Sequence, residues 1–135
     1  MERTNNSKLQ IYTTSILMLV ASADEKIEES EITIIKEILI DFFKINKEQS
    51  NKLILLSEEI IKESTDIYEI ASFLNNEFSQ EDKIELLYCI FEVAYCDKDF
   101  HFMERHVINK IANILNINRR ELLKANKEIQ NILLL

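Results

Sequence analysis

The sequence predicts an all-α fold, a single compact domain (1–135) of about seven helices, and three observations support this. The chain contains no Gly and no Pro, although average usage would give roughly nine and seven in a chain of this length. Tight β-hairpins and the loops of parallel α/β folds rely on Gly, so both are disfavoured. Apolar residues recur at helical spacing, and the same helical-hairpin pattern occurs twice.

The first three helices follow from periodicity and one cap. Residues 9–22 predict a mostly apolar helix. Residues 29–43 place a stripe of apolar side chains on one helical face. Asn46, followed by Gln49 three positions later, has the spacing of a capping box and predicts the start of a third helix.

Four further helices are expected in the second half. Residues 66–75 form a short helix, and the segment Ser79-Gln80-Glu81-Asp82 caps a long helix that reaches Cys96. Residues 102–115 follow, and Asn118 caps the last helix. Because Asn adopts left-handed conformations more readily than most residues, four asparagines are expected to replace Gly at the turns: Asn46, Asn76, Asn116 and Asn118.

An internal repeat appears when the sequence is aligned with itself so that Asp24 matches Asp97. Val20-Ala21 then falls on Val93-Ala94, and Glu31 falls on Glu104. Both copies read as an apolar helix followed by D-x-x-Φ-x-x-x-E-x-x-Φ-Φ-x-x-Φ, where Φ is apolar. The repeat predicts two pseudo-symmetric helical hairpins, at about 10–45 and 83–117.

The first apolar stretch also resembles a secretory leader, since Arg3 and Lys8 precede it and Ala21-Ser22-Ala23 follows. A leader would not share its pattern with an internal helix, so we expect this helix to be structural and the protein to be cytoplasmic. No apolar run reaches the roughly 18 residues of a membrane span, and no transmembrane segment is expected.

The net charge limits the kinds of partner that the chain is expected to bind. A net charge of −8 disfavours binding to nucleic acid, which needs clustered Lys and Arg. Arg119-Arg120 is the only pair of adjacent arginines, and we expect a cation or a basic partner surface instead. Cys89 and Cys96 lie too far apart on one helix for a disulfide, so we expect them to be reduced core residues.

The repeated acids could hold a cation, start helices or form a docking patch for a partner protein. Hard cations such as Ca²⁺, Mg²⁺ or Mn²⁺ bind where several carboxylates converge, and the residues that could provide them are Asp24, Glu31, Asp97, Asp99 and Glu104. Alternatively these acids only start helices, because Glu31 and Glu104 each lie three residues after a potential N-cap, Glu28 or His101. Neither loop is an EF-hand, since the twelfth position is apolar in both.

No enzymatic activity is expected. The absence of Gly excludes Walker-type and dinucleotide-binding loops. His101 and His106 are five residues apart, a poor spacing for one metal ion on a helix, and no group that would orient a Cys–His nucleophile pair is identifiable.

The segment FEVAYCDKDFHFMERHVINKIANIL, preceded by DIYEIASFLNNEFSQEDKIELL, resembles the TerB-like family associated with tellurite resistance. The resemblance covers roughly residues 9–128. It implies a compact all-α bacterial domain with a role in tellurium-compound or other chemical stress, and a metal site at Asp24, Glu31, Asp97 and Glu104. The sequence departs from the family pattern after each Asp, where Glu25 and Lys98 replace Gly.

The function expected from these observations is a non-enzymatic binding or scaffold module whose acidic loops hold a divalent cation. The alternative is a metal-independent protein–protein adaptor whose acids only cap helices. Either version needs a protein partner, which the sequence does not identify. The apolar tail, residues 129–135, either packs on the core or provides a strip for a partner or for a second copy of the chain.

Overall fold

The computed structural model describes residues 7–23, 27–63, 66–96 and 102–134. Within these ranges every regular element is a helix, and the buried apolar side chains form one core cluster. The prediction of a single all-α domain is therefore confirmed. The helices are α1 (Ser7–Ala21), α2 (Glu29–Phe43), α3 (Lys47–Lys62), α4 (Ile67–Glu77), α5 (Gln80–Ala94), α6 (Phe102–Ile114) and α7 (Arg119–Ile132).

Helix α1 lies at the centre of the fold. It packs against α2, α3, α4, α5 and α6, and its apolar side chains from Ile16 to Met18 are almost completely buried. Two of its buried hydroxyl groups bond within the helix, because Thr14 Oγ1 donates to the Gln10 carbonyl at 2.8 Å and Ser15 Oγ donates to the Ile11 carbonyl at 2.9 Å. The apolar stretch that resembles a leader is thus the core helix of the domain.

Helix α5 is the second organising element, and it packs against α1, α2, α6 and α7. The two expected hairpins are the pairs α1–α2 and α5–α6, and each pair is in contact. Each second helix also packs on the first helix of the other pair, α2 on α5 and α6 on α1. The pseudo-symmetric relation between the hairpins stays a prediction.

The predicted N-caps are confirmed. Asn46 Oδ1 accepts from the Gln49 N–H at 2.8 Å, and the Asn46 N–H donates to Gln49 Oε1 at 2.9 Å, which completes a capping box. Ser79 Oγ accepts from the Asp82 N–H at 3.2 Å, and Asn118 Oδ1 accepts from the Glu121 N–H at 2.9 Å. Helix α4 begins in the same way, with Asp66 as its N-cap.

The prediction that four asparagines adopt left-handed conformations is mostly wrong. Only Asn116, with φ 58°, adopts this conformation, and it ends α6 in a Schellman motif in which the Ile117 N–H donates to the Ala112 carbonyl at 2.9 Å. Asn46 and Asn118 are extended N-caps, and Asn76 lies inside α4. Asn is suited to both roles, because its short amide can accept from the N–H groups at a helix start.

Helix α2 ends without an Asn, and the two cysteines are less buried than expected. Lys44, with φ 56°, ends α2 in the left-handed region. Cys89 and Cys96 are half-buried rather than fully buried in the core, since α5 ends at Ala94 and Cys89, which packs against the core, also lines a surface cleft. Among the described helices, none has the length and apolar character needed to cross a bilayer.

Candidate functional site

The five acids singled out in the sequence divide into two groups. Asp24, Asp97 and Asp99 lie outside the described residues. Glu31 and Glu104 are described, and both are almost completely buried, with 3% and 2% of their surfaces exposed. They lie in the first turns of α2 and α6. A carboxylate so deeply buried must be compensated by hydrogen bonds or by opposite charge, because its desolvation is costly.

Glu31 has a local structural role. The Glu28 N–H donates to Glu31 Oε1 at 2.8 Å, and Glu28 is the extended residue from which α2 begins. This is the contact expected of a capping-box Glu that reaches back to the helix start. Glu31 therefore makes the side-chain contact of a capping box at the start of α2. The corresponding capping contact of Glu104 would be with His101, which lies outside the described residues.

A shared metal site is not formed by the described residues alone. Among them, no group of three or more His, Cys, Asp or Glu side chains is arranged to hold a metal ion. Carboxylate oxygens are the ligands that hard divalent cations prefer, so the chemistry of Glu31 and Glu104 fits such an ion. A cation site would require the neighbouring loop acids as further ligands.

A second acidic feature lies between α2 and α5. Glu37, Asp41, Glu85 and Glu92 line a cleft of about 390 Å³, together with Cys89 and other residues. Burial raises the pKa of Glu92, and the negative charges of Glu37 and Asp41 raise it further. These acids are not part of the repeated acidic motif, and the packing of α2 on α5 brings them together.

A third feature is a basic groove between α6 and α7, which we call the α6–α7 groove. It consists of two adjoining cavities of about 610 and 260 Å³ that share Asn109, Arg119 and Leu122 in their linings. Its charged lining side chains are Arg105, Lys110 and Arg119, beside His106, and no described lining residue is acidic.

This groove is not apparent from runs of adjacent basic residues, because its basic side chains are separated in the sequence. The sequence does contain a signal, because polar and basic residues form a stripe on one face of α6, at one, four, five and eight positions after Arg105. The stripe contains Arg105, His106, Asn109, Lys110 and Asn113, and all five are exposed. Arg119 joins them only through the fold.

Tyr88 on α5 and Tyr95, the C-cap residue of that helix, connect α5 to α7. The Tyr95 hydroxyl donates to Asn126 Oδ1 at 2.7 Å, and the Tyr88 hydroxyl donates to the Glu128 carboxylate. The bond to Glu128 favours the protonated phenol, and with burial and the nearby carboxylate charges it raises the pKa of Tyr88 to about 12. These bonds fix α7, and with it one wall of the α6–α7 groove, against the centre of the domain.

The family model described as tellurite resistance protein TerB matches residues 10–127. The match extends from α1 into α7 and includes both copies of the acidic repeat. Comparisons with curated proteins and with solved structures found no match.

Proposed function

Since the chain belongs to the TerB family of tellurite resistance proteins, we propose that it is a non-enzymatic binding and scaffold module in the bacterial response to tellurite or related chemical stress. We place this role in the cytoplasm. The observation that carries the proposal is the burial of Glu31 and Glu104 at the starts of α2 and α6. Burying two carboxylates at matching positions of the repeat is costly unless opposite charge or hydrogen bonds compensate each of them. A bound cation or the N–H groups at a helix start would supply this compensation.

The proposed mechanism is linked to a divalent cation. Glu31 and Glu104, together with Asp24, Asp97 and Asp99, would hold the ion, which would neutralise their charges. Because α2 packs on α5 and α6 packs on α1, a change at either helix start is transmitted to the other hairpin. Cation binding would thereby set the angle between the hairpins and the exposure of a partner surface.

The test is thermal unfolding of chelator-treated protein with and without millimolar Ca²⁺, Mg²⁺ or Mn²⁺. Binding at a hundred times Kd stabilises the folded state by about 2.7 kcal/mol, a shift of several degrees in a domain of this size. We expect Asp24→Asn/Asp97→Asn to abolish the shift. The control is Glu37→Gln/Asp41→Asn, which removes two negative charges from the acidic cleft. A wild type without any cation-specific shift would contradict the mechanism.

The adaptor without a metal is the second proposal, and the bond from the Glu28 N–H to Glu31 Oε1 at 2.8 Å favours it. Glu31→Gln separates the two, because Gln preserves the cap acceptor but removes the charge that a cation needs. The adaptor model predicts nearly unchanged stability and no cation effect in either protein. The cation model predicts a shift in the wild type that Glu31→Gln diminishes.

The apolar tail provides a proposed contact between copies of the chain. Ile129 is buried in the core, whereas Ile132 and Leu134 are 71% and 91% exposed, so the two expectations for the tail apply to different residues. We expect Ile132→Ser/Leu134→Ser to shift any dimer to monomer in sedimentation velocity. A wild type that stays monomeric at high concentration would exclude this contact.

A further inference from the structure

We propose that the α6–α7 groove binds an acidic amphipathic helix of a partner protein. The inference names a partner class for the binding module proposed above, but it does not depend on the cation. The two cavities of the groove share three lining residues, so they form one continuous depression along α6. The lining residues of α6 extend from Arg105 to Asn113, a length of about 12 Å. A partner helix of two to three turns spans this length.

The floor of the groove is apolar. It includes Phe91 and Ile108, which belong to the core, and the half-buried Leu122. Leu123 is 52% exposed on the same side of α7. Phe91 and Ile108 are already buried, so apolar anchors at positions i, i+3 or i+4 and i+7 of a partner helix would cover the exposed parts of Leu122 and Leu123.

The charged side chains around the floor determine the sign of the charge that a partner must carry. Arg105, Lys110 and Arg119 carry positive charge on both walls, although the whole chain has a net charge of −8. A metal ion or a basic surface is repelled locally. A long nucleic acid would extend beyond the groove and meet the acidic remainder of the chain. A short helix with acidic flanks meets the basic walls alone, because charges beyond about 8 Å are screened at physiological ionic strength.

The groove is also fixed before any partner binds. Tyr88 on α5 and Tyr95 at its C-cap hold α7 through Glu128 and Asn126, so one wall is anchored by two hydrogen bonds. Docking into a preformed groove costs less ordering of the receptor than docking onto a mobile surface.

The test is a display selection of random helical peptides of about 14 residues, long enough to fill the groove, against the full chain in chelator-containing buffer. We expect enrichment of amphipathic peptides with Leu-type anchors flanked by Glu or Asp. Their affinity should fall about tenfold for Lys110→Glu/Arg119→Glu, because two attractive charge contacts become repulsive, and it should fall with added salt. The matched control is Lys124→Glu/Lys127→Glu, which makes the same charge change at exposed positions of α7 outside the groove lining.

Circular dichroism first establishes that both double variants are folded. The inference is overturned if no acidic amphipathic peptide is enriched, or if both double variants bind the enriched peptides as tightly as the wild type. It is also overturned if single-stranded DNA competes for the groove more strongly than these peptides do. Because the selection contains chelator, a negative result leaves the cation-dependent unfolding test unaffected, and the two proposals can fail separately.

Discussion

Glu92 on α5 is half-buried beside Glu37 and Asp41 of α2, and both its burial and these charges disfavour the ionised carboxylate. Its pKa is raised above the ordinary value. The folded state therefore binds this proton more tightly than the unfolded state, and Glu92 lowers stability once the pH rises through its folded pKa. Neither neighbour could be identified from the sequence, because Glu37 and Asp41 reach Glu92 only through the packing of α2 on α5.

We therefore expect Glu92→Gln to raise the free energy of unfolding at pH 7, because it replaces the charged form by a neutral group of the same shape. The gain should diminish with decreasing pH and vanish where Glu92 is protonated in both states. Urea unfolding at several pH values measures this. Glu58→Gln, at an exposed position of α3, is the control, and an equal gain in both variants would contradict the assignment to the acidic cleft.

Tyr88 provides a second prediction at the residue scale. Its pKa of about 12 depends mainly on the hydrogen bond to Glu128, so Glu128→Gln should lower it towards 10. The stabilisation that this bond contributes is complete below pH 10 and is lost as the pH rises through 12. The ultraviolet absorbance of tyrosinate during alkaline titration checks this, with Tyr88→Phe identifying the component that belongs to Tyr88. An unchanged titration in Glu128→Gln would refute the assigned partner.

The helix starts were largely predictable because capping is local. An N-cap contacts N–H groups two or three residues ahead, so Asn46 with Gln49, and Ser79 with Asp82, could be identified from spacing alone. The helix ends were less predictable. Lys44 adopts a left-handed conformation that its type does not favour, because the packing of α2 and α3 fixes where the chain must turn.

At the scale of the helical elements, Asn46→Ala should destabilise the domain by about 1 kcal/mol, because it removes the acceptor for the Gln49 N–H. Asn76→Ala is the matched control, since Asn76 is an exposed residue within α4 and is not a cap. Its effect should be near zero, because Ala favours helix more than Asn does. Denaturant unfolding distinguishes the two. An Asn46→Ala variant as stable as the wild type would exclude a stabilising cap at α3.

The whole molecule is organised around α1, which contacts five of the other helices. Leu17 is completely buried in its middle, so Leu17→Ala should lower the free energy of unfolding by about 2–5 kcal/mol through lost burial and a new cavity. Leu55→Ala on α3 is the control, because Leu55 is 64% exposed and its truncation should change stability by no more than about 0.5 kcal/mol. Equal effects of the two substitutions would contradict the central position of α1.

The sequence by itself determined the helical class, the order of the seven helices and most of their N-caps. These properties depend on periodicity and on contacts within a few residues, and the repeat further singled out Glu31 and Glu104. Only the tertiary structure decided that both of these carboxylates are buried. It also separated the charges into an acidic cleft between α2 and α5 and a basic groove between α6 and α7. Net charge is a sum along the chain, whereas a binding surface depends on which helix faces adjoin, and helix packing determines that.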